Sequence, residues 1–541
     1  MTAGQGQGGT LPGTAAWHAL VAGSPWLVPL LCGLLSMLAG QDLNWDLQNY
    51  HLYNPHAWLT GRLGIDLAPG QWQSYFNPAI DVPYYLAFTY LPGWLCSFLM
   101  GALHGLNFPL LLVLVRRLLP EGGGAHLPFW LAAAGCAGPG FLSGLGNTMG
   151  DNLTALFVLG ALALLLRAPL RAPLPAPSPA SLPAPLFVPA TGQILLAGLV
   201  MGAGTGLKPT NAVYALALCV ALLVLDGPPA RRLRAAFLFG VAVLAGIALS
   251  AGHWYWTMWH QFGNPLFPQF NDVFGSALAP PIGVGDTGWR PRTLMEKLAW
   301  PFLFTLDPRR VCELPLRHLA WPVLYTAGIA LLAALAAGRR RLAAIPREVR
   351  LLMVFGAVAY LLWMNLFSIY RYLAPLELLA PVLCWLVLAA LLPGRRVLAA
   401  WCVGLCACSF VTVENWGHAI GVKPLSVEVP ALPAPARSIV YIVEAPAGWL
   451  VPFFPPEVAF VSLGAGFPES PGWLRRAAAI RASRPGPAYV MLPALRGEPD
   501  LQRAAATLQR YGLALDGDCR PYRVSAGRAV LSYVFCGVQP R

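Results

Sequence analysis

Apolar runs of about 17 to 25 residues recur along most of this chain, each long enough to cross a hydrocarbon core about 30 Å thick. A chain built this way folds in lipid as a set of helices, because a helix satisfies its own backbone hydrogen bonds where no water can. Composition agrees: 57% of the 541 residues are hydrophobic and 11% charged, against roughly 25% charged in soluble domains. The net charge of +13 does not mark a nucleic-acid binder, because the basic residues sit in short clusters between apolar runs and not in one patch with interleaved aromatics. Such spacing is that of cytoplasmic loops. No nucleic-acid partner is expected.

The first span is expected over 24–40. The segment from Pro78 is broken by Pro83 and Pro92 and reads as an interfacial or re-entrant helix. Further spans are expected over 93–115, 127–145, 152–167, 193–205, 211–225, 233–250, 319–336, 351–367, 374–392 and 397–410. The proline-rich stretch 167–192 reads as a linker loop. Placing Arg116 with Arg117, Arg167 with Arg171, and the clusters from Arg231, Arg339 and Arg395 on one side requires alternate crossings, which about eleven spans satisfy.

The expected organisation is a cytoplasmic segment 1–23, a transmembrane region 24–411 with outer loops 41–92 and 253–318, and an extracytoplasmic unit 412–541. In that last unit, strand-like runs such as "SIVYIVE" and "AVLSYVF" alternate with helix-like "WLRRAAAIRAS" and "DLQRAAATLQRYG", which suggests a small α/β domain. Cys519 and Cys536 lie there and suit a disulfide if the unit is outside the cytosol. The N-terminus lacks the basic region of a cleaved signal.

Polar residues gather at the outer ends of the spans. "GQDLNWDLQNYHLYNPHAWLTGR" puts Asp42 and Asp46 just after the first span, on one face if the segment is helical. Either aspartate could equally be a solvated interface residue or a helix cap. "GNTMGDNLTALFVL" places Asp151, "GAGTGLKPTNAVYAL" Lys208, and "MNLFSIYRYLAPLELLAPVL" Arg371 at outer mouths of spans. Charged groups at such depth tend to face a cavity or a partner. Lysine and arginine here suit a phosphate, one as a point charge and the other as a fork, or snorkel to the interface.

The outer aspartate after the first span, the "GD" start of the fourth, the "GLKPT" turn, the loop "HQFGNPLFPQFNDVFGSALAP" and the late "FSIYRYL" resemble bacterial integral-membrane glycosyltransferases of the GT-C superfamily. The resemblance covers roughly 26–392 and rests on the order and common sidedness of short motifs. It implies a polytopic all-α membrane fold, a polyprenyl-phosphate-linked sugar as donor, and a bacterial inner-membrane location with the chemistry outside the cytosol. It also implies inverting transfer, with or without a divalent metal, to a glycan, lipid or protein acceptor.

On that resemblance Asp46 becomes the general base, with Asp42 as runner-up. Asn49, Tyr50, His51, Asp151, Lys208, Asn264, Tyr370 and Arg371 line the substrate site. Asp46 is followed by Leu47 where better-known members carry an adjacent acidic pair, so no metal site is assigned. His51 reads as a second acid or base or as a structural histidine, and Asp66 and Asp81 are weaker candidates. Two other readings stand beside this one: a ligase for a preassembled lipid-linked glycan, and a transporter or flippase of a lipid-linked sugar. The latter would need charges at the membrane midplane.

Overall fold

The computed structural model describes residues 12–119, 126–167, 189–225, 227–392, 404, 409, 412–421, 423–464, 466–467, 469–494 and 500–541. Among these, five helices are long and apolar enough to cross a membrane: Trp17–Ala39, Gly93–Leu118, Pro229–Phe262, Arg347–Leu366 and Tyr370–Leu391. Shorter apolar helices, Asp151–Leu165, Thr191–Leu207, Pro209–Val224 and Ala320–Ala336, accompany them. Most of the linker, the span expected over 397–410, and Arg171 and Arg395 lie outside the described residues.

Three elements depart from the expected spans. The third ends early, as helix His126–Cys136 followed by the short Pro139–Ser143, because Pro139 cannot continue the first helix and starts the second. The seventh runs from Pro229 to Phe262, well past Ser250 into the polar-aromatic region that follows it. That region also holds the helix Leu294–Leu306, opened by Thr293 and Glu296 in a capping box.

Small residues let the helices approach closely. Along Thr191–Leu207, Gly198 and Gly202 face the backbone of Pro229–Phe262, where a Cβ on Gly202 would stand 2.1 Å from the Val243 carbonyl. Gly246 returns the contact, 2.3 Å from the Leu199 carbonyl. Apolar lipid supplies no hydrophobic drive between helices, so van der Waals packing of this kind holds them together.

The C-terminal part folds around a six-stranded mixed sheet. With β1 (Gln41–Asp42) and β2 (His418–Ala419) forming a separate pair, the sheet strands are β3 (Ser426–Val427), β4 (Ile439–Ile442), β5 (Ala459–Ser462), β6 (Ala488–Ala494), β7 (Leu513–Ala526) and β8 (Ala529–Pro540), in the order β3-β7-β8-β6-β4-β5. Strands β5, β4 and β6 are parallel, and the others antiparallel. The alternation of strand and helix in the sequence is borne out, with helices Pro471–Ser483 and Leu501–Gln509. The polar run that forms β7 was not expected as a strand. Cys519 and Cys536 face each other across β7 and β8 and are disulfide-bonded.

This unit is joined to the polar segment that follows the first span as one packed body. Leu67 bridges Val461 at the edge strand β5, with Leu67 N donating to the Phe460 carbonyl at 2.8 Å and Ser462 N to the Leu67 carbonyl at 2.9 Å. Asp66 takes a bidentate bond from Arg62 at 2.7 and 2.8 Å and accepts from Phe460 N at 3.0 Å, while Arg62 also donates to the carbonyls of Pro456 and Val458. Leu47, Leu52, Tyr53 and Ala57 pack with Ile442, Trp449 and Leu450 in one core. The sheet edge is thereby covered.

Candidate functional site

The polar segment after the first span is not one continuous helix. β1 pairs with β2, a helix starts at Trp45, and it widens into a π turn over Leu47–His51. Such turns insert one extra residue and are frequent at functional sites. Asp42, in β1, and Asp46, in the helix, therefore do not share a helical face. The π turn is gripped from outside, since a Cβ on Gly448 would stand 2.2 Å, and one on Gly70 2.5 Å, from the Asn49 carbonyl.

Asp46, 6% exposed, forms an ion pair with Arg371, its Oδ2 accepting from Nη1. Arg371 Nε faces Asp151 Oδ2 across 4.0 Å, too far for a hydrogen bond, and neither atom has another hydrogen-bond partner. Asp151 Oδ1 accepts from Lys208 Nζ at 2.6 Å, and the same ammonium donates to the Met149 carbonyl at 2.6 Å. The Tyr372 ring lies under both cations, 5.2 Å from Lys208 Nζ and 5.4 Å from the Arg371 guanidinium carbon, within cation–π range. Lys208 and Asp151 are brought together by Gly150, whose φ of +82° turns the chain into the helix Asp151–Leu165.

His51 and Asp81 pair alongside, Nδ1 to Oδ1 at 2.7 Å, both buried. His51 Nε2 is buried with no hydrogen-bond partner. Tyr50 packs edge-on against Phe76 and tilted over His51, the latter at 4.1 Å between centroids. Burial pushes the Asp46 carboxyl up, but the charges of Arg371 and Lys208 oppose it and that carboxyl is held below its usual range. Burial, reinforced by the Asp46 charge, pushes the Tyr50 phenol well above the ordinary value.

The expected site residues thus divide. Asp46, Tyr50, His51, Asp151, Lys208 and Arg371 converge from four segments of the chain. Asp42 does not reach Arg371: its Oδ2 accepts from Thr148 N at 2.7 Å and Thr148 Oγ1 at 2.8 Å, and its Oδ1 accepts from Asn44. Asn49 points away, toward the Gly70 carbonyl at 3.1 Å. Asn264 closes its own loop, donating to the Gln269 carbonyl at 2.9 Å and accepting from Leu266 N at 2.8 Å. Tyr370 turns from the cluster and accepts from Trp321 Nε1 at 3.2 Å. Asp66 belongs to the clamp on β5.

A narrow cleft adjoins the ion pairs, lined by Asn147, Asp151, Asn152, Tyr370, Arg371, Glu377 and Trp416 among others. Glu377 was missed, although a lone carboxylate inside "LAPLELLAPVL" is itself a signal of function at membrane depth. It accepts from Phe141 N at 2.8 Å. Nothing in the sequence pointed to Tyr372 over Tyr370, or to Asp81 as the partner of His51.

These side chains do not fit a divalent cation. Among the described residues no three His, Cys, Asp or Glu side chains group as a metal site, and Asp46, Asp81 and Asp151 are each already matched by a cation or a histidine. Two adjacent cations bearing unused donors suit a phosphate instead.

No protein family and no curated protein matches the sequence. Among solved structures, the chain is similar to ArnT from Cupriavidus metallidurans bound to undecaprenyl phosphate, at 14% identity, with 96% of this chain and 98% of that chain covered and a TM-score of 0.52. The apo state of the same protein gives 13% identity, the same coverage and 0.50. An Archaeoglobus fulgidus oligosaccharyltransferase in the apo form follows at 12% identity, covering 89% of this chain and 70% of that one, with a TM-score of 0.41. The resemblance to GT-C membrane glycosyltransferases is borne out at the level of the fold.

Proposed function

We propose that this chain is a membrane glycosyltransferase that moves a sugar from a polyprenyl-phosphate-linked donor to an acceptor on the extracytoplasmic face. The observation that carries the proposal is the convergence of one ion-paired carboxylate, Asp46, with two cations, Lys208 and Arg371, beside a cleft that Arg371 and Asp151 line. The similar structure of ArnT holds undecaprenyl phosphate, a ligand of the chemistry those cations suit.

The donor lipid enters between helices, and Lys208 and Arg371 hold its phosphate. The acceptor hydroxyl attacks the anomeric carbon on the side opposite the phosphate. The carbon–oxygen bond to phosphate breaks with its electron pair going to the phosphate oxygen, where the two cations stabilise the charge. Asp46, as general base, accepts the hydroxyl proton. Asn49, Asn264 and Tyr370 act only through the walls of the site, and Asp42 by tying the outer segment to Thr148. The divisions 1–23, 24–411 and 412–541, about eleven spans, the cytoplasmic N-terminus and the bacterial inner-membrane location belong to the same proposal. The Cys519–Cys536 disulfide supports placing the C-terminal unit outside the cytosol.

The test is Asp46→Asn in membranes supplied with lipid-linked sugar. Transfer should fall by about 10²- to 10⁴-fold while undecaprenyl phosphate still binds; turnover near that of the unmodified protein removes Asp46 from the mechanism. Mass analysis of the product separates addition of one sugar from ligation of a polymer, and movement of lipid-linked sugar without a new glycosidic bond would favour a flippase.

A further inference from the structure

Asp46 is well placed to orient a hydroxyl and badly placed to keep its proton. Its Oδ2 is committed to Arg371, and the surrounding positive charge favours its ionised form. A proton taken by Asp46 therefore needs somewhere else to go before the next turnover.

A group suited to hold it is on the same turn. His51 follows Asp46 by five residues across the π turn Leu47–His51, whose i to i+5 geometry stacks these two positions where an ordinary helix would splay them apart. On its far side the ring is fixed by Asp81, Nδ1 to Oδ1 at 2.7 Å, which leaves Nε2 as the nitrogen with a free lone pair. That atom is buried and unpartnered, a costly arrangement unless it has work to do. A carboxylate behind a histidine both sets the tautomer and stabilises the imidazolium once it forms. The other charged groups around the pair are Asp46, Lys208 and Arg371, with the Tyr50 ring tilted beside it.

We infer that His51, held by Asp81, is the proton sink of the transfer. The acceptor O–H bond breaks, the proton passes by way of Asp46 to His51 Nε2, the new glycosidic C–O bond forms, and the bond to phosphate breaks with its electrons leaving on the lipid phosphate. His51 is a catalytic residue on this account, and Asp81 a positioning residue acting through it. The inference rests on the transferase reading.

The test uses the purified full chain in proteoliposomes, with polyprenyl-phosphate-linked sugars extracted from bacterial membranes as donor and a membrane lipid extract as acceptor. The readout is lipid-phosphate release. Sodium azide then replaces the acceptor, because the azide anion attacks the anomeric carbon with no proton to remove. His51→Gln should lose roughly 100-fold or more in release with the donor KM unchanged. Azide should restore release and yield a glycosyl azide by mass spectrometry. Asp81→Asn should show a smaller loss, likewise restored.

Unchanged turnover in His51→Gln overturns the inference. So does a loss that azide fails to restore in a variant whose melting is still raised by undecaprenyl phosphate, since the pair would then be structural. If His51→Gln does not melt cooperatively, Asp81→Asn decides in its place by the same two outcomes. Absence of any release by the unmodified protein defeats the transferase reading itself, and the proton sink falls with it. Release that persists while His51→Gln matches it defeats the sink alone.

Discussion

Asp46 and Arg371 stand 325 positions apart in the chain and form a buried ion pair. The arginine does not end there, because its Nε looks across 4.0 Å to Asp151, which is itself bonded to Lys208. Two carboxylates and two cations thus form one row beside the cleft that Asp151 and Arg371 line, and each predicted effect depends on which link of that row is cut.

Arg371→Lys keeps the charge and loses the fork. Charge-assisted hydrogen bonds contribute about 1.5–3 kcal/mol each, so lipid-phosphate release should fall roughly 10- to 100-fold. Steady-state release by the variant in proteoliposomes checks it. Full activity would mean that position 371 supplies charge alone.

Removing one member of the Lys208–Asp151 pair strands the other. Lys208→Met should therefore lower unfolding stability by about 3–5 kcal/mol, and adding Asp151→Asn should recover most of that loss. The double variant should still bind undecaprenyl phosphate weakly, because the phosphate has lost a cation. Thermal melts with and without the lipid phosphate separate the two effects. A double variant that binds as tightly as the parent would take Lys208 out of the phosphate site.

The Arg62–Asp66 clamp should behave as structure and not as chemistry. Asp66→Asn leaves Arg62 buried without its counter-charge, so stability should drop by about 3–5 kcal/mol, while turnover per folded molecule stays close to that of the parent. Limited proteolysis should then cut between the outer segment and β5. A variant that melts normally but turns over slowly would contradict this.

His56 gives the protein a specific acid sensitivity. Burial, with help from the Arg62 charge, lowers its imidazole from 6.5 to about 4. The unfolded chain binds a proton below 6.5 and the folded one resists until about 4, so the stability concerned is complete above the upper value and drains away toward the lower. His56→Gln should flatten the fall in melting temperature across that window. An unchanged slope would assign the sensitivity elsewhere, for instance to His318, which burial also lowers to about 4.

The membrane class, five long apolar helices of the expected spans and the alternation of strands and helices in the tail were legible in the sequence. Each is a local sum: transfer of a run of side chains into lipid depends on those side chains alone, and strand or helix periodicity on a short window. The polar ends of the spans were legible for the same reason, and with them Asp46, Asp151, Lys208 and Arg371 as a set. What only the tertiary structure decided is who pairs with whom. Asp42 and Asp46 have the same chemistry and a spacing of four, yet β1 pairing gives one to Thr148 and the π turn gives the other to Arg371. His51 acquired its partner Asp81 from 30 positions away, and Tyr372 displaced Tyr370 beneath the cations. Electrostatic and hydrogen-bond energies fall off within a few ångströms and depend on burial, so they are properties of where the backbone brings side chains, which no local window of residues contains.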